Sequence, residues 1–236
     1  MAERDRPLYA VLIDADNIPA KYAGAILKEV TSFGEPALRR VYGDWSSGRL
    51  NAWTKEVLAL GLVAHQDTAN TTGKNASDIG LVIDAMDILH TGRFDGFVLV
   101  SSDSDFTSLA NRLREQGSDV IGIGEKKAPE SLRNVCNRFV LIENIIDEPA
   151  PSAKDGAKSQ KRNPTEAVPL IIRAMDKINS DDDWYTLGQL GQYITRDNPD
   201  FDPRTYGKRK LSDLVDGLNR FETKKVGNHL HVRRID

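Results

Sequence analysis

Two short apolar runs in this sequence each end in oxygen-bearing side chains. The runs are residues 9–13 and 97–100, and both consist of residues that favour β-strands. The carboxyl ends of parallel strands meet at one edge of an open sheet, where the functional crevice lies. The side chains that follow the two runs are therefore expected to form one acidic site. They are Asp14, Asp16 and Asn17 after the first run, and Asp103 and Asp105 after the second.

The chemistry of such a site follows from its charge. Two carboxylates at roughly 4 Å repel each other by about 4 kcal/mol when the effective dielectric constant is about 20, and a divalent cation would offset this repulsion. Oxygen ligands without cysteine or clustered histidine favour Mg²⁺ or Mn²⁺ over zinc. Such an ion lowers the pKa of a bound water and stabilises charge on a phosphate under in-line attack. We therefore expect an acidic Mg²⁺ or Mn²⁺ site.

Individual members of the cluster also have plainer explanations. Asp16 and Asp105 each precede a predicted helix, and aspartate is a good N-cap residue. Ser101 and Ser102 could donate hydrogen bonds to the site or could simply finish the strand, and we favour the second interpretation. Because two clusters follow two separate strands, capping alone explains the pattern less well than a shared site does.

A predicted helix over residues 77–90 adds a further carboxylate, Asp78, which could point into the same crevice from the side. The polar loop before it, residues 68–76, contains Lys74. We expect Lys74 to contact a substrate phosphate, although an ordinary exposed loop lysine has the same pattern. Asp87 lies on another face of the helix and is interpreted as a solvated charge, whereas Asp84 is left unassigned.

Strands and helices alternate through the first two thirds of the chain, which indicates a parallel sheet covered by helices on both faces. The fold class expected is therefore α/β. The predicted strands are 9–13, 37–42, 62–65, 97–100, 120–123 and 139–142, and the predicted helices are 21–32, 47–60, 77–90, 106–116 and 129–136.

Composition limits the other possibilities. The 236 residues are 39% hydrophobic and 28% charged, as in ordinary globular proteins. We find no run of eighteen apolar residues and no apolar leader near the N-terminus, so we expect no membrane span and a cytoplasmic location. Cys136 is the only cysteine, which excludes an internal disulfide and a multi-cysteine zinc site. It is expected to be a buried apolar residue.

The composition changes at residues 147–164, which are small and polar and are predicted to form a flexible linker between a domain at 1–146 and a second domain at 165–236. In the second domain we predict helices at 168–178, 187–194 and 205–218. A hairpin follows, with strands at 221–226 and 229–232. This is the plan of a small α+β winged helix-turn-helix domain.

The second domain has a basic segment. Residues 204–234 contain nine lysines and arginines against three acidic residues. Such a segment is typical of a protein with a polyanionic partner, and on charge alone a solvated basic face explains it equally well. Lys208, Arg209 and Lys210, at the start of the predicted third helix, would neutralise phosphates, and so would the basic residues of the hairpin. Tyr206 could stack on an unpaired base or pack in the core. Duplex DNA bound through the third helix is the competing partner.

Three motifs resemble the NYN family, a branch of the PIN-like nucleases that includes the bacterial LabA-like proteins. They are I-D-A-D-N, K-N-A-S-D and V-S-S-D-S-D-F, and the resemblance covers roughly residues 7–146. It implies a PIN-like fold and a metal-dependent ribonuclease site. The implied catalytic and metal-binding residues are Asp14, Asp78, Asp103 and Asp105. Asn17 would orient the first carboxylate beside the substrate, and Asp16 would be an additional ligand or would support the ligands.

Two further motifs, L-G-Q-L-G-Q-Y-I and F-D-P-R-T-Y-G-K-R-K-L, resemble the LOTUS domain, also called OST-HTH. Bacterial proteins join this domain to a NYN domain, and the resemblance implies RNA binding. The leading hypothesis is therefore an endoribonuclease that acts on single-stranded or structured RNA, with a homo-oligomer left open.

Two alternatives to the endoribonuclease remain. The first is a non-catalytic RNA-binding adaptor with a degenerate PIN-like site. The second is a haloacid-dehalogenase-like phosphatase, because I-D-A-D resembles the aspartyl-nucleophile motif of that family. Against the phosphatase, Ile18 stands where that motif has Thr or Val, and no convincing downstream lysine follows.

Overall fold

The computed structural model describes residues 5–66, 76–146, 161–178 and 183–235. The chain divides into two compact units, Met1–Asp147 and Glu148–Asp236. Most of the predicted linker and of the predicted loop 68–76, including Lys74, lies outside the described residues. None of the helices in these ranges has both the length and the apolar character needed to cross a membrane.

The first unit is built on a six-stranded parallel sheet with the order β3-β2-β1-β4-β5-β6. The two strands that carry the predicted acidic clusters, β1 and β4, are neighbours at its centre, so the clusters end at the same edge. This confirms the predicted α/β, PIN-like class. The strands are β1 (Leu8–Asp14), β2 (Glu35–Gly43), β3 (Val63–Gln66), β4 (Gly96–Val100), β5 (Asp119–Gly124) and β6 (Arg138–Leu141).

Helices cover both faces of this sheet because the central strands are apolar on both sides. Val11 and Ile13 of β1 face one core, and Ala10 and Leu12 face the other. The first core is closed by α1 (Ala23–Phe33), α2 (Asn51–Leu60) and the short α6 (Ile142–Ile145), and the second by α3 (Ala76–His90), α4 (Thr107–Glu115) and α5 (Glu130–Val135). Cys136 is buried as expected, and burial raises the pKa of its thiol to about 12.

One detail of the first unit differs from the sequence expectation, and another could not be predicted from the sequence. Ile142 does not end a strand but begins α6, which we did not predict. The apolar residues of α3 also serve two faces: Leu81 and Ala85 are buried against the sheet, whereas Ile79 and Ile83 are 60% and 58% exposed. Apolar residues on more than one face of a helix give no clear period, so the buried face of α3 cannot be read from the pattern.

The second unit packs three helices against a three-stranded antiparallel sheet of order β7-β9-β8, which confirms the small α+β domain. Its core comes from side chains of all three helices and of the hairpin, such as Ile171, Leu190, Val215 and Val232. The elements are α7 (Val168–Lys177), β7 (Tyr185–Thr186), α8 (Leu187–Asp197), α9 (Leu211–Asp216), β8 (Phe221–Val226) and β9 (His229–Arg234).

The prediction of one third helix over residues 205–218 is wrong. A 3₁₀ turn at Pro203–Tyr206 ends at Gly207, whose φ of 75° is left-handed, and α9 begins only at Leu211. Glycine adopts this conformation at no steric cost, and it ends the turn. Residues 208–210 therefore form a connection before α9 instead of its first turn.

Candidate active site

The centre of the acidic cluster is Asp14, the last residue of β1. Its side chain is buried, with 4% of the residue exposed. Ser101, at the end of β4, donates its hydroxyl to Oδ2 of Asp14 over 2.9 Å. The backbone N–H of Asn17 donates to Oδ1 over 3.2 Å. Both carboxylate oxygens are thus held by the loops that follow the two central strands.

The environment of Asp14 opposes its ionisation. The pKa of Asp14 is raised to about 6; burial is the largest cause, and the charges of Asp78 and Asp16 act in the same direction. The hydrogen bonds from Ser101 and Asn17 act in the opposite direction and lower the pKa. A buried carboxylate near two other carboxylates carries an electrostatic cost that a bound cation would relieve.

Hydrogen bonds through Asn17 and two serines join the ends of the central strands. The side-chain oxygen of Asn17 accepts a hydrogen bond from the backbone N–H of Ser102 over 2.9 Å. Ser101 Oγ accepts one from the backbone N–H of Asp103 over 3.1 Å, and Ser102 Oγ accepts one from Glu125. The interpretation that these serines merely finish the strand is wrong, because both tie loops of the site together. Through its side-chain oxygen, Asn17 holds the loop after β1 against the loop after β4.

The aspartates after β4 are placed by a 3₁₀ turn, Ser104–Phe106. Asp103 is its N-cap and accepts a hydrogen bond from the backbone N–H of Asp105 over 3.0 Å. The sequence allows capping by Asp105 or Asp16, but in the structure Asp103 caps this turn. After β1, the first helical turn is capped at Pro19, so Asp16 does not cap it. Asp103 is half-buried, whereas Asp16 and Asp105 are exposed.

Asp78 lies in the first turn of α3 and is half-buried. The position of α3 depends on Asp84, which accepts hydrogen bonds from Arg40 and from the hydroxyl of Tyr42. Tyr42 is the β2 residue paired with Asp14 in the sheet, and it is 1% exposed. Burial and the contact with Asp84 raise the pKa of Tyr42, so its hydroxyl stays protonated as a donor. Asp84, unassigned from the sequence, thus fixes the helix that carries Asp78 to the strand beside Asp14.

The cluster supplies the oxygen ligands that a hard cation takes, and the cost of keeping Asp14 ionised fits such an ion. Among the residues that the structure describes, no group of three His, Cys, Asp or Glu side chains is already arranged to hold a metal. The charges of Asp16 and Asp78 nevertheless raise the pKa of Asp14, and Ser101 links Asp14 to the backbone of Asp103 through two hydrogen bonds.

The other residues predicted to contact the substrate lie in the second unit. Tyr206 is 5% exposed, and its ring centre lies 6.0 Å from that of Phe201 in the core. Burial raises the pKa of Tyr206. The expectation that Tyr206 stacks on a base does not fit this packing. Arg209 and Lys210 are exposed and Lys208 is half-buried, so these cations are accessible in the connection before α9.

Comparison with known proteins agrees with the motifs. Residues 9–143 match the NYN domain family, and residues 158–232 match the OST-HTH/LOTUS domain. No curated protein matches the chain significantly. A crystal structure of a Vibrio parahaemolyticus protein of unknown function is similar in fold, with 21% identity and a TM-score of 0.51, and the match covers 60% of this chain and 96% of that one.

A solution structure of an uncharacterised Nitrosomonas europaea protein shares 30% identity over 38% of this chain and 89% of that one. Its TM-score of 0.27 is too low to support a comparison of folds. An NYN domain, which is a PIN-like nuclease domain, together with an OST-HTH/LOTUS domain indicates an RNA-related function. The chain therefore belongs to the NYN domain family and carries an OST-HTH/LOTUS domain after its NYN domain.

Proposed function

We propose that this protein is a metal-dependent endoribonuclease whose C-terminal domain binds the RNA substrate. The observation that carries the proposal is the burial of the Asp14 carboxylate beside other acidic groups. This carboxylate lies at the end of a central strand, held by two hydrogen bonds and near the charges of Asp16 and Asp78. Folding the chain around such a charge costs stability, which is typical of a site selected for function.

The proposed ligands are the aspartates at the ends of β1 and β4 together with Asp78. Mg²⁺ or Mn²⁺ bound there would supply an activated water and would stabilise the charge that develops on the attacked phosphate. The proposed catalytic and metal-binding set is Asp14, Asp78, Asp103 and Asp105, with Asp16 as an additional ligand.

The neighbouring side chains prepare these carboxylates. The hydroxyl of Ser101 stabilises the ionised form of Asp14, because a hydrogen bond to a carboxylate lowers its pKa. Asn17 fixes the β1 loop against the β4 loop, and Asp84 fixes α3 against β2. Such support matters because catalytic groups lose efficiency when they are misplaced by about 1 Å.

The RNA contacts proposed outside the acidic cluster are cationic. Lys74 remains our candidate for a substrate phosphate near Asp78. Lys208, Arg209 and Lys210 are candidates in the OST-HTH/LOTUS domain, where they would release counterions from the RNA backbone. A tethered binding domain raises the local concentration of substrate at the nuclease domain.

The experiment that tests this proposal is cleavage of labelled single-stranded and structured RNAs in Mn²⁺, Mg²⁺ or EDTA. We expect metal-dependent cleavage that is lost in Asp14→Asn. A matched control is Asp87→Asn, the same chemical change at an exposed position of α3. Cleavage by Asp14→Asn at the wild-type rate would refute the proposal.

A second candidate is the RNA-binding adaptor. One observation favours it: no three ligand side chains are preassembled in the described part of the chain. In this case the full chain would bind RNA but would not cleave it in either Mn²⁺ or Mg²⁺. The dehalogenase-like phosphatase is not retained, because the chain belongs to the NYN domain family.

A further inference from the structure

The three-stranded sheet of the OST-HTH/LOTUS domain has one face away from the core. Side chains alternate between the two faces of a strand. Phe221 and Val232, at 6% and 0% exposed, face the core. Their neighbours in sequence therefore point to the opposite face, which we call the outer sheet face. It contains Glu222 and Lys224 of β8 together with His231 and Arg233 of β9, which are paired across the ladder.

Trp184, the residue before β7, brings two cations of this face together. Lys224 Nζ lies 3.8 Å from the centre of the Trp184 ring, and Arg233 Cζ lies 4.7 Å from it. The ring stabilises both cations through its negative π-face. Like charges held near one ring also repel each other, so the arrangement favours an anion that can bind both.

The cations of the outer sheet face are accessible. Lys224 is exposed, and 41% of the Arg233 side chain is accessible to solvent. Arg233 also forms an ion pair with Glu222, whose side chain is 47% accessible. An exposed ion pair contributes little stability and exchanges readily for another anion. A phosphate can therefore replace the Glu222 carboxylate at Arg233.

We propose that the outer sheet face binds single-stranded RNA, with backbone phosphates on Lys224 and Arg233 and an unpaired base against Trp184. This proposal rests on the proposed RNA binding of the domain and names the face and the form of RNA. Cations beside an aromatic ring are the combination by which proteins bind unpaired strands. A sheet face is too broad to enter the deep, narrow major groove of an RNA duplex.

The other basic surface of the domain, residues 208–210, lacks this combination. Its nearest aromatic side chain in sequence, Tyr206, is buried against Phe201. Residues 208–210 therefore offer charge for phosphates, whereas the outer sheet face offers charge together with an aromatic ring. This difference assigns the unpaired base to Trp184.

The test is fluorescence anisotropy of the full chain with a labelled, unstructured RNA of about 12 nucleotides, in EDTA to prevent cleavage. The double variant Lys224→Gln with Arg233→Gln removes both cations. Its matched control is Lys225→Gln with Arg234→Gln, which makes the same charge change one position along the same two strands, on the opposite face.

We expect the double variant Lys224→Gln with Arg233→Gln to bind RNA about tenfold more weakly. It should also reduce the slope of log affinity against log salt concentration by about 1.4, because each lost phosphate contact contributes about 0.7 for a single strand. Of the basic hairpin residues, only Lys224 and Arg233 are now expected to contact phosphates, so the control pair should change affinity by less than about twofold. Trp184→Leu should weaken binding about tenfold without changing the salt slope. Glu222→Gln should tighten binding, and this gain cannot result from unfolding.

Equal losses in the two charge pairs would overturn the assignment of the face and leave RNA binding by the domain intact. Equally tight binding of the matching RNA duplex would overturn the assignment to single strands. If the wild-type chain binds no RNA, the proposed RNA-binding function fails together with this inference. Thermal unfolding of each variant by circular dichroism separates loss of binding from loss of structure.

Discussion

Replacing Asp14 by Asn should stabilise the metal-free protein at neutral pH. The substitution removes a buried charge, keeps the size of the side chain and retains an oxygen that accepts from Asn17. The new amide can donate to Ser101 Oγ, which replaces the bond that Ser101 donates in the wild type but leaves the Ser101 hydroxyl proton without this acceptor. Removal of a candidate catalytic group would then increase the free energy of unfolding, which is the opposite of the usual effect of a buried substitution.

The magnitude follows from the pKa of Asp14, which is raised from 3.8 to about 6 in the folded protein. This difference of roughly two units corresponds to about 3 kcal/mol at about 1.4 kcal/mol per unit. The folded state binds this proton more tightly than the unfolded state, so stability falls as pH rises between the two pKa values. The cost is fully present above pH 6. Asp14→Asn should therefore gain roughly 2–3 kcal/mol near pH 7.5 and about 1 kcal/mol or less near pH 4.5.

The assay is urea unfolding of the full chain in EDTA at both pH values, with Asp87→Asn as the control for an exposed carboxylate. The control should change the free energy of unfolding by less than about 0.5 kcal/mol. Loss of stability in Asp14→Asn near neutral pH, or the same gain at both pH values, would refute the assignment of a strained, buried carboxylate. Added Mn²⁺ should stabilise the wild type and should have little effect on Asp14→Asn.

Three further outcomes are expected. Ser101→Ala removes the hydroxyl that lowers the pKa of Asp14, so the acidic limb of the pH–rate profile should move to higher pH; an unchanged limb would contradict the role of Ser101. Asp84→Asn weakens the contacts with Arg40 and Tyr42. It should lower the free energy of unfolding in urea by about 1–3 kcal/mol and reduce RNA cleavage without changing RNA affinity. Cleavage by Asp84→Asn at the wild-type rate would show that Asp78 does not depend on this contact. Tyr206→Phe keeps the buried ring against Phe201, so the RNA affinity measured by anisotropy should stay within about twofold of wild type. A tenfold loss of affinity would show that the Tyr206 hydroxyl contacts RNA.

The sequence predicted the sheet and the location of the acidic cluster because both depend on local patterns. Buried strands are continuous apolar runs, and their carboxyl ends share one edge of a parallel sheet. The neighbouring positions of β1 and β4 follow from this fold class. The sequence could not predict the role of Ser101, because its partner Asp14 is 87 residues away and a serine at the end of a strand has many uses.

Other features depend on three-dimensional contacts that no pattern contains. Asp84 has the spacing of a surface residue, and only the approach of Arg40 and Tyr42 on β2 shows that it holds the helix. The third helix of the second unit begins with its apolar stripe at Leu211 and not at residue 205, because the backbone conformation of Gly207 ends a separate turn before it. No sequence pattern marks Trp184, because β7, which follows it, is only two residues long.

The most direct test of the proposed nuclease is a comparison of RNA cleavage by wild type and Asp14→Asn, at equal concentration, in Mn²⁺ and in EDTA. Both proteins should be shown to bind the same RNA with equal affinity in EDTA, so that a difference in cleavage reports on the acidic site alone. We expect cleavage only by wild type and only with the metal. Cleavage that persists in EDTA, or in Asp14→Asn with Mn²⁺, would contradict a metal-dependent site centred on Asp14.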